Sequence, residues 1–237
     1  MKETKAHILA TRSVGEKLVR EAADHNIVLE EMDFIQIKPS LAPQTESAIR
    51  GLLSQPLTAV FTSAHAIRAL QSLIEKRPDW KIYCTAEGTR ALAEEVFGAG
   101  AIAAVAADAS LLADKILEKA PEGPVHFFCG NKRRDTLPDK LRESGWELQE
   151  WEVYETLFTP AALSRIYEAV LFFSPSAVES FFSRNRIYPQ TRIFAIGDTT
   201  AVSLKQFTDQ PVFTASRPGK AQLVRQAIEL IHSSKTN

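Results

Sequence analysis

The chain has 237 residues, 45% of them hydrophobic and 24% charged, which suits one large or two small globular domains with cores of normal size. A formal net charge of −1 excludes a global field for nucleic acid or an anionic membrane, so any basic surface must be local. The opening Met-Lys-Glu-Thr-Lys and the short run Ile8-Leu9-Ala10 do not make a signal peptide, and no apolar run reaches the roughly 18 residues of a membrane span; a cytoplasmic setting is expected.

In chain order, Ala6–Thr11 reads as a strand, Lys17–Asp24 as a helix and Ile27–Ile37 as one extended stretch. Pro39 and Pro43 mark a connection, Leu57–Phe61 is a buried strand, and Ser-Ala-His-Ala opens a helix over Ile67–Ile74. Lys81–Cys84 is a strand and Thr89–Phe97 a helix; a short extended stretch leads to the helix Ser110–Lys119. The second half gives strands at Val125–Cys129, Glu147–Tyr154, Ala169–Phe173, Ile193–Ile196 and Val212–Thr214. Its helices fall at Asp135–Ser144, Ala177–Phe182, Thr200–Phe207 and Ala221–His232. Short apolar strands alternating with helices predict parallel sheets covered on both faces. Cys84 and Cys129, the only cysteines, sit in such strands and read as reduced, packed thiols rather than a disulfide or redox pair.

The halves repeat. At an offset of 111 residues (63 to 174), Ser63, Ala66 and Ile67 fall on Ser174, Ala177 and Val178. Without a gap, Lys81-Ile82-Tyr83 then falls on Arg192-Ile193-Phe194, Glu87 on Asp198, Thr89 on Thr200 and Leu112 on Leu223. An offset of 119 (8 to 127) places Ile8-Leu9-Ala10 on Phe127-Phe128-Cys129 and Leu18 on Leu137. The change from 119 to 111 is read as a loop-length difference between the stretches after Ile35 and after Tyr154. Two gapless registers point to internal duplication.

Ligands of parallel α/β sheets sit beyond strand carboxyl ends, where helix N-termini present free amides. Polar strand ends recur in pairs: Thr62-Ser63 with Ser174-Pro175-Ser176, Glu87-Gly88-Thr89 with Gly197-Asp198-Thr199-Thr200, and Thr11-Arg12-Ser13 with Gly130-Asn131-Lys132-Arg133-Arg134. Singly, each is an ordinary helix cap. Six at matched positions predict a concave wall of anion-binding amides facing a cleft between two similar domains, and a small polyanion as the ligand. Lys132-Arg133-Arg134 is either a solvated face or a carboxylate contact. Gly98-Ala99-Gly100 follows a helix instead of opening one, which excludes a dinucleotide fingerprint. No P-loop, His-Glu-x-x-His or Cys-x-x-Cys occurs, and His65 is the only histidine kept as a candidate.

Phe61-Thr62-Ser63-Ala64-His65-Ala66-Ile67, Gly130 with its following helix, Glu152-Val153-Tyr154-Glu155, Phe173-Ser174-Pro175-Ser176 and Ala195-Ile196-Gly197-Asp198-Thr199-Thr200 together resemble the uroporphyrinogen-III synthase family. The resemblance implies two flavodoxin-like domains, segment-swapped and joined by a two-stranded linker: residues 1–36 with 157–237, and 37–156. It implies cyclisation of the linear tetrapyrrole hydroxymethylbilane, with inversion of its last ring and loss of water, by a cofactor-independent hydro-lyase that needs no metal. The substrate's eight carboxylates would meet Arg12, Thr62, Ser63, His65, Thr89, Gly130, Lys132, Arg133, Ser174, Ser176, Gly197, Thr199 and Thr200. Tyr154 would give a proton to the departing hydroxyl or steady it by a hydrogen bond; packing at a domain junction is its structural alternative. The implied protein is a monomer that touches no nucleic acid or membrane and makes transient contact with the preceding pathway enzyme. A non-catalytic polyanion-binding module would share the strand ends, but it has no need of the Tyr154 segment with Thr199-Thr200.

Overall fold

The computed structural model describes residues 5–86, 88–217 and 219–233. The chain begins with β1 (Ala6–Ala10), α1 (Glu16–Asp24), β2 (Ile27–Glu31), β3 (Ile35–Pro39), α2 (Pro43–Leu52), β4 (Leu57–Phe61), α3 (Ala64–Gln71), β5 (Trp80–Thr85) and α4 (Gly88–Phe97). It continues through β6 (Ile102–Ala106), α5 (Ala109–Lys119), β7 (Val125–Gly130), α6 (Thr136–Glu143) and β8 (Leu148–Phe158). It closes with β9 (Ala169–Phe172), α7 (Pro175–Phe182), β10 (Arg192–Ala195), α8 (Asp198–Leu204), β11 (Val212–Thr214) and α9 (Lys220–Ser233). The class is α/β with parallel-dominated sheets.

Two compact units divide the chain: one runs to Gln36 and resumes at Leu157, the other spans Ile37–Thr156. The sheet of the first unit has the order β2-β1-β9-β10-β11, with every adjacent pair parallel. This is the doubly wound 2-1-3-4-5 order, whose switch point lies between β1 and β9. Ile8, Leu9, Ala10, Val170, Leu171 and Phe172 are buried because helices cover both faces. On one face α9 lays down Leu223, Val224, Ala227, Ile228 and Ile231 at helical spacing. On the other, Phe181 of α7 meets Phe34 and Phe172 at ring distances of 5.2 and 5.1 Å.

The second sheet has the order β3-β8-β7-β4-β5-β6. Its switch point lies between β7 and β4, since the chain moves from β7 to β8 in one direction and from β4 to β5 and β6 in the other. One face carries an aromatic stack: Phe128 lies 5.2 Å from Phe61 and 5.3 Å from Trp80, and the Trp80 indole donates to Leu52 O at 3.2 Å. β3 borders β8; the Ser40 N–H donates to Val153 O, and the Thr159 N–H to Phe34 O, so the two run antiparallel.

Three expectations are corrected. The stretch Ile27–Ile37 is two strands, broken where the Met32 N–H turns to Ala10 O and Phe34 plugs the core. Pro43 opens α2 rather than marking a loop, since proline at the first helical position forfeits no hydrogen bond and has its φ preset. The offset change is therefore more than a loop difference: the stretch after Ile35 holds α2, whereas residues 159–168 carry neither helix nor strand. Helix limits also move by a few residues, α3 starting at Ala64 and α8 at Asp198, because the cap and not the first apolar residue sets the start.

Candidate active site

At the switch point of the second unit, β7 ends in Gly130 and its parallel neighbour β8 presents Tyr154. The register slips between Cys129 and Gly130: Cys129 pairs with Glu152, but Gly130 with Tyr154. Such a bulge re-aims a side chain. It is pinned by the Asn131 N–H on Tyr154 O at 3.3 Å and by the Thr156 N–H on Asn131 Oδ1 at 2.9 Å. The Tyr154 ring thereby lies on the bare backbone of Gly130, where a Cβ would stand 2.5 Å from Cζ and 2.9 Å from Cδ2. The His65 ring sits 5.8 Å from the Tyr154 ring, tilted by 52°. Ser63 caps α3 by accepting the His65 N–H at 3.2 Å. Burial pushes the Tyr154 phenol pKa above its ordinary value. Tyr154, Gly130, Ser63 and His65 thus come together, from β8, β7 and the start of α3.

Other candidates of this unit are placed differently. Thr62 is half-buried, and Thr85 Oγ1 lies 3.2 Å both from its carbonyl and from Thr89 Oγ1. Thr89 is 7% exposed. Glu87 lies outside the described residues. Lys132 is exposed, while Arg133 is engaged by Asp135 and Glu150, with Arg142 also on Glu150. Arg133 of the basic run after β7 therefore already meets carboxylates of its own chain.

In the first unit the β1 end is likewise occupied. The Thr11 hydroxyl is buried and donates to Leu171 O at 2.9 Å, whereas Arg12 is exposed. The amides that follow are not free: the Val14 and Gly15 N–H groups donate to Glu31 Oε1 at 2.7 and 2.9 Å, and the Ser13 hydroxyl to Oε2 at 3.3 Å. Desolvation alone would raise the Glu31 pKa; the Gly15 and Val14 amides, the Ser13 hydroxyl and Lys220 outweigh it and hold the carboxyl below its ordinary value. Sequence reasoning missed Glu31. The parallel pairing of β1 with β2 sets Glu31 opposite Ala10, beside the loop that follows β1.

After β9, Ser174 caps α7 through the Ala177 N–H at 3.2 Å, and Ser174 and Ser176 are both half-buried. After β10, Gly197 precedes α8, whose first turn holds the acid Asp198 and the exposed Thr199. Thr200 is 2% exposed and is one of the buried residues of α8, with Ser203 and Leu204. Its N–H donates to Gly197 O at 3.0 Å.

A family model described as uroporphyrinogen-III synthase HemD matches residues 16–225, nearly the whole chain. The chain belongs to the uroporphyrinogen-III synthase family. Its members are cyclising lyases of haem biosynthesis. Solved structures of uroporphyrinogen-III synthases share the fold. The enzyme of Helicobacter pylori aligns with TM-score 0.66 and 17% identity, over 95% of this chain and 99% of that one. A mutant of the Thermus thermophilus enzyme aligns with TM-score 0.67 and 16% identity, over 97% and 99%. Among the described residues no helix is long and apolar enough to cross a membrane.

Proposed function

We propose that this uroporphyrinogen-III synthase family member converts hydroxymethylbilane to uroporphyrinogen III, with Tyr154 as the proton donor. The observation that carries the reading is the phenol of Tyr154, seated on Gly130 at the carboxyl ends of β7 and β4, where α/β sheets bind ligands. Because burial raises its pKa, the phenol holds its proton at neutral pH. It gives that proton to the hydroxyl of the bilane, which departs as water and leaves a cationic azafulvene. A pyrrole carbon of the last ring supplies the electron pair that closes a spiro intermediate. After rearrangement the ring carbon that closes the macrocycle loses a proton, restoring the pyrrole and returning the phenolate to phenol. Bilane closes unaided to the uninverted isomer, so the protein must chiefly dictate conformation. The exposed or half-buried Arg12, Thr62, Lys132, Ser174, Ser176 and Thr199, with the backbone at Gly197, supply donors for the substrate's carboxylates.

The reading includes an internal duplication with a segment swap. The 111-residue offset supports it: it carries Ala64, first in α3, onto Pro175, first in α7, and Ala109, first in α5, onto Lys220, first in α9. Read as 2-1-3-4-5, the orders β2-β1-β9-β10-β11 and β8-β7-β4-β5-β6 are alike, with the first two strands of each coming from the other end of the chain order. The enzyme works in the cytoplasm as a monomer, receiving its short-lived substrate by transient contact with the enzyme that makes it. Isomer analysis of the product formed from hydroxymethylbilane tests the function: type III supports it, and type I alone at the uncatalysed rate refutes it.

A further inference from the structure

At the amino-terminal end of β9 the first unit holds a cavity of about 430 Å³, a size suited to a small molecule. It lies at the opposite end of that strand from Ser174 and Ser176, and none of its lining residues has a part in the proposed reaction. Its apolar lining combines buried Val170 and Phe181 with exposed Ile166 and Tyr188. Hydrogen bonds fix its walls. Asn185 Nδ2 donates to Ala161 O at 2.8 Å and to Phe181 O at 2.9 Å, and Asn185 Oδ1 accepts the Leu163 N–H at 2.9 Å. The Thr191 hydroxyl donates to Tyr167 O at 2.7 Å. The stretch 159–168, although neither helix nor strand, is thereby fastened to the end of α7 and the start of β10.

Arg165, Arg184 and Arg186 line this cavity, and among the described residues no Asp or Glu lines it. Cations gathered round one concavity repel one another until an anion sits among them. Arg165 is held by Glu30, its Nη1 3.0 Å from Oε1, which engages one nitrogen of its fork. Among the described residues the exposed Arg184 and Arg186 guanidinium groups have no carboxylate partner. A cation just past a helix ordinarily serves the terminal carbonyls. Here Phe181 O is met by Asn185 Nδ2, and Ser180 O by the Ser183 hydroxyl at 2.7 Å, without Arg184. The cavity at the end of α2 in the second unit is a contrast. It is lined by Arg50, Lys76 and Arg77 but also by Glu75 and Asp79, and its Arg50 is paired with Glu46. We infer that the cavity beside α7 binds a small organic dianion with a flat apolar body. Arg184 and Arg186 take its charge, Arg165 supports them, and the apolar lining takes its body.

Calorimetric titration of the full-length protein with isophthalate and with phenyl phosphate tests this, the two probes separating carboxylate from phosphate as the preferred anion. At low ionic strength the better probe should fill one site with a Kd of about 0.1–1 mM, as suits a ligand of its size. In an isotope-labelled sample the amide shifts should centre on Ile166, Asn185 and Tyr188. Arg184→Gln and Arg186→Gln should each weaken binding about tenfold, the effect of one charge-assisted hydrogen bond, and the double variant should abolish it. Both side chains are exposed, so these variants should keep the wild-type denaturation midpoint. Arg20→Gln, which removes an exposed arginine paired with Glu16 in the same unit, should leave binding unchanged. Failure of both probes to bind at millimolar concentration, an affinity untouched in the double variant, or an equal loss in Arg20→Gln would overturn the inference. The readout is binding and not turnover, so the result is independent of the role of Tyr154.

Discussion

The Tyr154 ring packs against Gly130 where a side chain would otherwise stand. A methyl group there would meet Cζ at 2.5 Å, and the contacted atoms belong to a ring rather than to the end of a flexible chain. Gly130→Ala must therefore push Tyr154 off its seat. The expected outcome is a stability loss of about 1–3 kcal/mol from overpacking. Turnover should fall at least as far as in Tyr154→Phe, because the phenol is moved as well as crowded. Denaturation midpoints and steady-state rates check this together; wild-type activity in Gly130→Ala would show that the ring has another resting place.

The strand and helix pattern was largely legible, because short apolar runs such as Leu57–Phe61 and Val125–Gly130 are buried on both faces and read as such. Pro43 misled because proline both ends and begins elements. The burial of Thr89 and Thr200 was in principle readable from periodicity. Thr89, Ala93 and Phe97 share one face of α4, and Thr200, Ser203 and Leu204 share one face of α8. The partners Glu31 and Glu150 were not legible from local sequence, since an acid on a strand reads as solvated until pairing brings it beside a particular loop. Tyr154 was singled out by family resemblance; its seat on Gly130 depends on a bulge that leaves no mark in the sequence.

Glu31 ties the loop after β1 to the end of β2. Its folded pKa is lowered, so the stability it contributes is present above the unfolded carboxylate value and is lost as the pH falls through the folded one. Glu31→Gln should cost about 1 kcal/mol at pH 7, a modest figure because the side chain is exposed. It should cost progressively less on acidification, as the wild type loses the same interaction. Urea midpoints at pH 7 and at acid pH measure the difference; a gap between variant and wild type that stays constant with pH would exclude the carboxylate as its source.

Cys84 and Cys129 are buried and unpaired by disulfide, and burial pushes their thiols up to about 11 and about 12. Reactivity follows the thiolate, whose fraction at pH 8 falls to roughly a thousandth or less at such values. Native protein should resist alkylation at pH 8, and both cysteines should react fully once the chain is unfolded. Labelling of the native protein at the rate of an unfolded peptide would show that the strands carrying them open readily.

The central claim is that the protein dictates how the bilane folds while Tyr154 supplies the proton that frees its hydroxyl. The direct measurement is the isomer composition and rate of product from hydroxymethylbilane with wild type, with folded Tyr154→Phe and with no protein. Removing only the hydroxyl spares the ring's contact with Gly130, so the variant should fold. Positioned acid catalysis is worth about 10²–10⁴-fold, and with conformation supplying much of the acceleration the loss should fall near 10². The account predicts type III from the wild type, a rate about a hundredfold lower from Tyr154→Phe, and type III still dominant in what the variant makes. Type I alone from the wild type, or an undiminished rate from Tyr154→Phe, would contradict it.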